Sequence, residues 1–294
     1  MIASKRFNFI TMRIALFKLA KEKQDFDLAA RVAFIMALGL EDRNRGKGGD
    51  SVRLEMVEQR GPLLLCDFVK IRMRQGPAKA GLNQPATGFN LAKDEGFGEE
   101  TAFLWDSSND WCVVQYNHYG VRTNTIAEYL GEFDHSDPVQ LELLPKLDDE
   151  IHAKLQRKTL VKKVTIAVAA KELSAADFAA GQSLGQAAKM VSRYAPEKVE
   201  ITISTRKKGG LIFSIGAFES WLTQLGAGSS DSPVESAKVT AKDTEDDKSE
   251  ELDLLNGRIK QDADILPGID KRLSVKDRFD ALERMHGAWR KYIK

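Results

Sequence analysis

The stretch Leu63-Leu-Leu-Cys-Asp-Phe-Val-Lys-Ile-Arg-Met-Arg74 decides the fold of this chain. Its β-branched and apolar residues predict a strand, and Gly61-Pro62 before it is a turn signal that separates it from a second predicted strand, Val52–Glu58. Because successive side chains of a strand point to opposite faces, the basic residues of its second half project from one face of a sheet whose other face is buried. These basic residues are Lys70, Arg72 and Arg74.

Strands and helices are also predicted on both sides of this stretch. Asp27 is placed to cap a helix from Leu28 to about Leu38, and Ser274 to cap a C-terminal helix. The other expected strands of the first half are residues 5–16, Thr101–Trp105, Trp111–Tyr116 and Val139–Leu144, with a helix at Thr123–Leu130. After a charged segment the pattern begins again, with expected strands at Leu160–Ala169 and Val199–Ser204 and helices from Ser174 to Pro196 and at Ile212–Leu225.

These patterns together predict an α+β fold with two domains, antiparallel sheets and packed helices. We expect a globular α+β domain over residues 1–158, joined by the C-terminal helical segment 268–294. A smaller α/β domain with an acidic linker is expected over residues 159–255. Within that linker, Val234–Lys242 predicts either a flexible connection or an exposed edge strand.

The C-terminal helix carries an apolar stripe spaced by four and three residues. Such a stripe packs either into the core of its own chain or against a second copy. The candidate residues for a dimer seam are Phe279, Leu282 and Trp289.

Composition excludes several classes of protein. The 294 residues are 43% hydrophobic and 30% charged, which is typical of a globular chain. No apolar run reaches the length of about 20 residues that a membrane-spanning helix needs, and no secretory segment is recognisable at the N-terminus. Two cysteines, Cys66 and Cys112, cannot supply a disulfide framework. We therefore expect a soluble cytoplasmic protein without a metal or a cofactor.

The net charge of +1 conceals an uneven distribution along the chain. Residues 1–80 contain 16 Lys and Arg against 9 Asp and Glu, a balance of +7, so the remainder carries −6. A basic first quarter indicates a surface that could bind a polyanion.

The arrangement of the basic residues indicates that the polyanion is a nucleic acid. Along a strand, residues two apart lie about 6.7 Å apart, close to the distance between neighbouring phosphates. Besides Lys70, Arg72 and Arg74, the predicted phosphate-binding residues are Arg43, Arg45 and Lys47 in a Gly-rich loop, Lys238 and Lys242 on one strand face, and Arg206, Lys207 and Lys208 after another strand. No helix is both basic and rich in Asn, Gln and Arg along one face, so direct reading of bases is not expected.

Two other functions remain open from the residues alone. A metal-dependent nuclease would use carboxylates such as Glu55, Glu58 and Asp67 beside Lys70, but Asp67 and Lys70 are three apart and point to opposite faces of a strand. Because no other catalytic signature is present, we expect a protein that is not an enzyme. The third possibility is a regulator that binds other proteins and whose basic faces are simply solvated.

One part of the chain resembles a known family. Phe103-Leu-Trp-Asp106, Trp111–Tyr116 and Asn117-His-Tyr-Gly-Val-Arg-Thr-Asn-Thr-Ile-Ala-Glu-Tyr-Leu130 are similar in order to the RexA-like phage exclusion proteins, and the likeness continues as local pattern to the C-terminus. Val121 stands where that family's pattern leads us to expect proline.

The resemblance implies a homodimer with a fold distantly similar to that of the recombination-associated protein RdgC. It implies binding of double-stranded DNA without reading of sequence, in phage exclusion or the lysis–lysogeny choice of a temperate phage or prophage. It also implies a smaller mobile domain in which Lys242 and Lys238 touch DNA, and, by analogy with two-component exclusion systems, a separate membrane effector protein.

An acidic stretch, Asp243–Asp253, follows these two lysines. We expect it to compete with DNA for the basic face, so that its deletion would tighten binding.

Overall fold

The computed structural model describes residues 9–47, 49–74, 76–158, 160–169, 198–206, 210–211, 234–244, 246–255 and 257–293. The chain divides into two compact units. The first comprises Met1–Ile14, Lys21–Leu141 and Asp262–Lys294, and the second comprises Ala15–Ala20 and Glu142–Gln261. The bounds differ from the predicted ones, since residues 142–158 lie in the second unit.

The larger sheet of the protein has eight strands, and most of their residues lie in the first unit. The sheet has the order β14-β1-β8-β7-β4-β3-β2, and β9 also pairs with β1. Its strands are β1 (Ile10–Lys21), β2 (Arg45–Lys47), β3 (Asp50–Arg60), β4 (Leu63–Arg72), β7 (Phe97–Asp106), β8 (Trp111–Tyr116), β9 (Leu141–Pro145) and β14 (Lys260–Ile265). A separate two-stranded ribbon, β5 (Lys79–Gly81) and β6 (Gln84–Thr87), lies between β4 and β7 in the chain.

Strand β4 lies inside the sheet, between β3 and β7. It joins β3 through the predicted turn, where Gly61 has a φ of +59°, a conformation that costs a residue without a Cβ little. Leu63–Val69 is buried throughout, on both faces of the sheet. The strand ends at Arg72, so the prediction that it continues to Arg74 was wrong.

Helices cover both faces of this sheet. The described helices are α1 (Leu28–Ala37), α2 (Thr123–Glu132), α3 (Asp149–Arg157) and α4 (Val275–Ala288). The neighbouring β4 residues Asp67 and Phe68 point to opposite faces; the first contacts Arg278 of α4 and the second contacts Tyr129 of α2. The first unit therefore has helices α2 and α4 on opposite sides of its sheet.

The C-terminal helix begins where its cap was predicted. Ser274 accepts a hydrogen bond from the backbone N–H of Asp277, and α4 packs against β7 and β8. Phe279 and Leu282 are 0% exposed and Trp289 is 5% exposed. The proposed dimer seam is therefore corrected: these three residues fill the core of the chain's own first unit, because the sheet covers the apolar stripe.

The second unit contains a four-stranded antiparallel sheet with the order β11-β10-β12-β13. Its strands are β10 (Leu160–Ala169), β11 (Lys198–Ser204), β12 (Val234–Lys242) and β13 (Glu250–Asp253). Strand β12 lies between β10 and β13, so the expectation of a flexible connection or an exposed edge was wrong. The edge strands are β11 and β13, and the acidic linker supplies β13. The helices predicted from Ser174 and at Ile212–Leu225 lie outside the described residues.

The protein is thus a mixed α/β protein built on antiparallel sheets. Among the described helices, none combines the length and the apolar character needed to cross a membrane.

A buried ion pair ties α4 to the sheet and generates a stability prediction. Asp67 and Arg278 are each 1% exposed, and two hydrogen bonds of 2.5 and 2.9 Å join the guanidinium to the carboxylate. Replacing Asp67 by Ala leaves the buried guanidinium of Arg278 with only the more distant carboxylate of Glu100, at 3.6 Å, so we expect the free energy of unfolding to fall by about 3 kcal/mol in urea titrations.

The control is the pair Arg13–Asp262, whose side chains are 44% and 45% exposed. Asp262→Ala should cost about 1 kcal/mol or less. The double variant Asp67→Leu/Arg278→Met should recover most of the loss, because an apolar pair leaves no charge buried. Equal costs for Asp67→Ala and Asp262→Ala would contradict this account.

Candidate nucleic-acid interface

One face of the four-stranded sheet carries lysines and hydroxyls, whereas the other face is apolar. Val164 and Ile166 of β10 and Val239 of β12 belong to a buried cluster. The alternate residues point away from it, and the pairing register brings them side by side: Lys163 lies opposite Thr240 and Ser204, and Thr165 lies opposite Lys238 and Thr202. We use the name lysine–threonine face for the residues Lys163, Thr165, Thr202, Ser204, Lys238, Thr240 and Lys242; Lys198 and Glu200 lie on the same side of the sheet at the other end of β11. None of the seven is buried.

The spacing of the three ammonium groups follows from the strand geometry. Lys238 and Lys242 are four residues apart on β12, about 13 Å along the strand. Lys163 lies on β10 opposite Thr240, midway between them, at a strand separation of about 4.8 Å. The Oγ1 atoms of Thr165 and Thr202 are 3.3 Å apart. Lysines and hydroxyls in this arrangement offer donors to phosphate oxygens from three adjacent strands.

An acidic strand borders the lysine–threonine face. In the register of β12 and β13, Asp253 lies opposite Lys238 and Glu251 lies opposite Thr240. The Nζ of Lys238 is 2.7 Å from Oε1 of Glu251, and this hydrogen bond raises the pKa of Lys238. An anion that binds Lys238 must therefore compete with Glu251.

Two carboxylates of the acidic segment Asp243–Asp253 form ion pairs with lysines of the same unit. Lys158 lies 3.3 Å from Asp243 and 2.8 Å from Glu250, and Lys154 lies 3.5 Å from Glu250. The hydrogen bond to Lys158 lowers the pKa of Glu250, which keeps this carboxylate ionised. Lys158 thus holds the segment at Asp243 and at Glu250, and Lys238 holds it at the neighbouring Glu251.

The basic residues of β4 have a different environment. Lys70 pairs with Asp50 at 3.2 Å, and Arg72 pairs with Glu99 at 3.0 Å and stacks on Tyr119 at 4.5 Å from the ring centre. Acidic residues of adjacent strands thus neutralise both cations. Arg74 lies after the strand and is exposed, and no ion pair involves it within the described residues.

The arginines of the Gly-rich loop hold the loop in place. Arg43 donates to the carbonyl oxygens of Met36 and Leu38, and Arg45 donates to those of Asp42 and Phe133. Because these guanidinium N–H groups already donate to backbone carbonyl oxygens, they are not free to bind phosphates in the way that the sequence predicted for Arg43 and Arg45. The side chain of Lys47 lies outside the described part of the chain.

Arg45 also stacks on Phe133, with its guanidinium carbon 3.6 Å from the ring centre. It lines a pocket of about 180 Å³ to which Glu128 and Glu132 contribute carboxylates. Two carboxylates make this pocket unfavourable for a phosphate.

The remaining predicted basic residues follow β11. Arg206 is exposed, and Lys207 and Lys208 lie outside the described residues.

The carboxylates considered for a nuclease each pair with an arginine. Asp67 binds Arg278, Glu55 binds Arg53 at 2.5 Å, and Glu58 binds Arg60 at 2.7 Å. Where the structure describes the chain, no group of three or more His, Cys, Asp or Glu side chains is placed to hold a metal ion. Cys66 and Cys112 are buried, and burial raises the pKa of the Cys66 thiol.

The sequence analysis missed Lys163 as a site residue. Its signal was present, because Lys163 and Thr165 alternate with Val164 and Ile166 in the way that Lys238, Thr240 and Lys242 alternate with their neighbours. Only the register of β10 with β12 shows that the two polar rows lie on the same face.

The fold and this face define a mixed α/β protein with a sheet surface that bears lysines and hydroxyls beside an acidic edge strand. Comparison with protein families matches residues 6–292 to a family of unknown function (DUF6731), so the chain belongs to that family. No curated protein matches the chain.

Proposed function

We propose that this protein binds double-stranded DNA without reading its sequence, through phosphate contacts made by the lysine–threonine face. The observation that supports this proposal most strongly is the face itself, where three ammonium groups and four hydroxyls lie unburied on adjacent strands. Lysine and hydroxyl side chains are frequent partners of phosphate oxygens, and such contacts carry no sequence information.

The same face favours a duplex over a single strand. Proteins that bind single strands without sequence preference stack bases on aromatic side chains. Strands β10–β13 contain no Phe, Tyr, Trp or His. The DNA would therefore be held by its backbone, with its bases stacked inside the duplex.

The biological setting comes from the resemblance to the RexA-like family. We propose a role in phage exclusion or lysis–lysogeny control of a temperate phage or prophage. In that role the protein would act as a homodimer with a distantly RdgC-like arrangement of two domains, and a separate membrane effector protein would be its partner. The dimer surface would have to lie elsewhere than Phe279, Leu282 and Trp289, which are buried.

We also propose that the protein is not an enzyme. The ion pairs of Glu55, Glu58 and Asp67 with arginines leave the nuclease alternative without a specific supporting observation. Cleavage of a duplex on addition of Mg²⁺ would support the nuclease function and contradict the proposal that the protein is not an enzyme.

The salt dependence of DNA binding tests the proposed surface. Lys163 has no carboxylate partner among the described residues, so its removal deletes one phosphate contact without freeing an acid. We expect Lys163→Ala to weaken binding of random-sequence duplexes uniformly and to make the log–log salt slope less steep by about 0.9. Fluorescence anisotropy of a labelled duplex at several salt concentrations measures both.

The matched control is Arg284→Ala, which removes one exposed positive charge from α4. It should leave the slope unchanged. A slope that changes equally in both variants would mean that overall charge, and not this face, governs binding. Failure of the wild-type protein to bind any duplex at low salt would favour the regulator that binds other proteins.

The acidic border generates a second prediction. Glu251 forms an ion pair with Lys238 and so competes with DNA for this lysine. We therefore expect Glu251→Gln to tighten duplex binding about two- to fivefold at low salt, the range that an exposed ion pair contributes. This substitution is sharper than deletion of Asp243–Glu251, which would also remove two of the four residues of β13.

Asp262→Asn is the control for this substitution. Asp262 pairs with Arg13 at 2.9 Å, at similar exposure, on strands that do not belong to the four-stranded sheet. Unchanged or weaker binding by Glu251→Gln, or equal tightening by both variants, would contradict competition between Glu251 and DNA.

A further inference from the structure

An exposed arm projects from the sheet of the first unit. The arm is residues 76–95, which leave the sheet after β4 and return before β7, and every one of them is exposed. It contains the ribbon β5–β6, which pairs with no other strand among the described residues. Leu82 occupies the turn of this ribbon and is 105% exposed, as much as in an extended chain.

The root of the arm carries a patch of half-exposed apolar side chains. Arg72 of β4 lies opposite Phe97 of β7. The guanidinium of Arg72 stacks on the ring of Tyr119 at 4.5 Å, and Phe89 contacts Phe97 edge to face with ring centres 5.5 Å apart. Met73 follows Arg72 in the chain. We use the name root patch for Met73, Phe89 and Tyr119, which are between 43% and 51% exposed.

The ribbon lacks the further strands that would stabilise it. An isolated two-stranded ribbon is only marginally stable in water, whereas three or more strands support one another. Its two outer edges differ, because β6 contains Pro85, which has no N–H to donate, whereas every residue of β5 has one. The outer edge of β5 is therefore the one that fits an added strand.

The charge and the size of the arm fit a second copy of this chain. A two-fold interface places the same surface of both copies face to face, so a surface with charge of one sign would repel itself. In the arm, Lys79 and Lys93 balance Asp94 and Glu95, and the net charge is zero. Its 20 exposed residues also match one side of a standard interface, which contains about 20–30 residues.

We propose that β5 pairs antiparallel with β5 of a second copy, about a two-fold axis at Ala80. This inference rests on the homodimer of the proposed function and assigns its seam. In this register Lys79 lies opposite Gly81 of the second copy, so the two lysines are not directly opposed. Antiparallel pairing also carries the tip of each arm towards the root of the other, where Leu82 packs on the root patch of the second copy.

Cysteine cross-linking tests the register. Ala80→Cys places two thiols opposite each other at the axis, at a Cα separation of about 4.5–5.5 Å that a disulfide bridges. We expect mild oxidation to give a covalent dimer on a non-reducing gel, to which the buried Cys66 and Cys112 do not contribute.

Ala86→Cys is the matched control for the cross-link. Ala86 is also exposed, but it lies on β6, so its two copies are three strand spacings apart, about 14 Å, which no disulfide spans. This variant should stay uncross-linked. Equal yields of disulfide from the two variants would indicate random collision and overturn the pairing.

Sedimentation velocity over a range of concentrations tests the contact of Leu82. Because this side chain is fully exposed in its own chain, Leu82→Ala leaves the fold intact. It should raise the Kd of the dimer about 10- to 100-fold, the effect of losing a buried leucine. Ile269→Ala is the control, since Ile269 is 107% exposed on a different loop, and its Kd should equal that of the wild type. An unchanged Kd for Leu82→Ala would overturn its packing on the root patch.

The two measurements separate this inference from the proposed function. A wild-type dimer whose Ala80→Cys variant forms no disulfide overturns the arm as the seam and leaves the homodimer standing. A protein that is monomeric at every concentration overturns both the seam and the homodimer. DNA binding is decided independently of either result by the anisotropy titration.

Discussion

The first unit depends on one buried ion pair between residues 211 positions apart. Asp67 stands in the middle of β4 with apolar neighbours on both sides, an environment that an ionised carboxylate tolerates only with a partner. Arg278 supplies two hydrogen bonds from α4 and is itself buried in doing so. A second polar contact, 3.0 Å between His286 and Asp106, fixes the other end of the helix to the end of β7. These two contacts fix the position of α4 on the sheet, and the apolar stripe of α4 contributes most of the surface that the helix buries there.

Pairing of cations with acids also shapes the surface formed by the first quarter of the chain. The basic first quarter of the sequence indicated a polyanion-binding region, yet Lys70, Arg72 and Arg60 there all pair with carboxylates. Local pairing explains why a segment with a charge of +7 need not form a basic surface. On the lysine–threonine face Lys238 also pairs with an acid, Glu251, whereas Lys163 on β10 has no carboxylate partner among the described residues.

Much of the fold could be predicted from local patterns, and the departures have physical reasons. Asp27 and Ser274 capped helices as expected, and the strand Trp111–Tyr116 was found at its predicted position, because caps and short strands after a turn are short-range features. Strand β12 was misjudged since an edge and an inner strand differ only in their partners, and β13 is made of acidic residues that seldom form strands. The burial of Phe279 against the sheet, and the meeting of Lys163 with β12, depend on long-range register that no local pattern contains.

If DNA lies on the lysine–threonine face, as we propose, a bound duplex shields the lysines of that face, and lysine footprinting detects such shielding directly. The protein would be acetylated briefly with and without a saturating random-sequence duplex, and the modification of each lysine measured by mass spectrometry. The account predicts that the duplex protects Lys163, Lys238 and Lys242, while the exposed lysines Lys260 of β14 and Lys276 of α4 react equally in both samples. Equal reactivity of Lys163, Lys238 and Lys242 with and without bound duplex would contradict it.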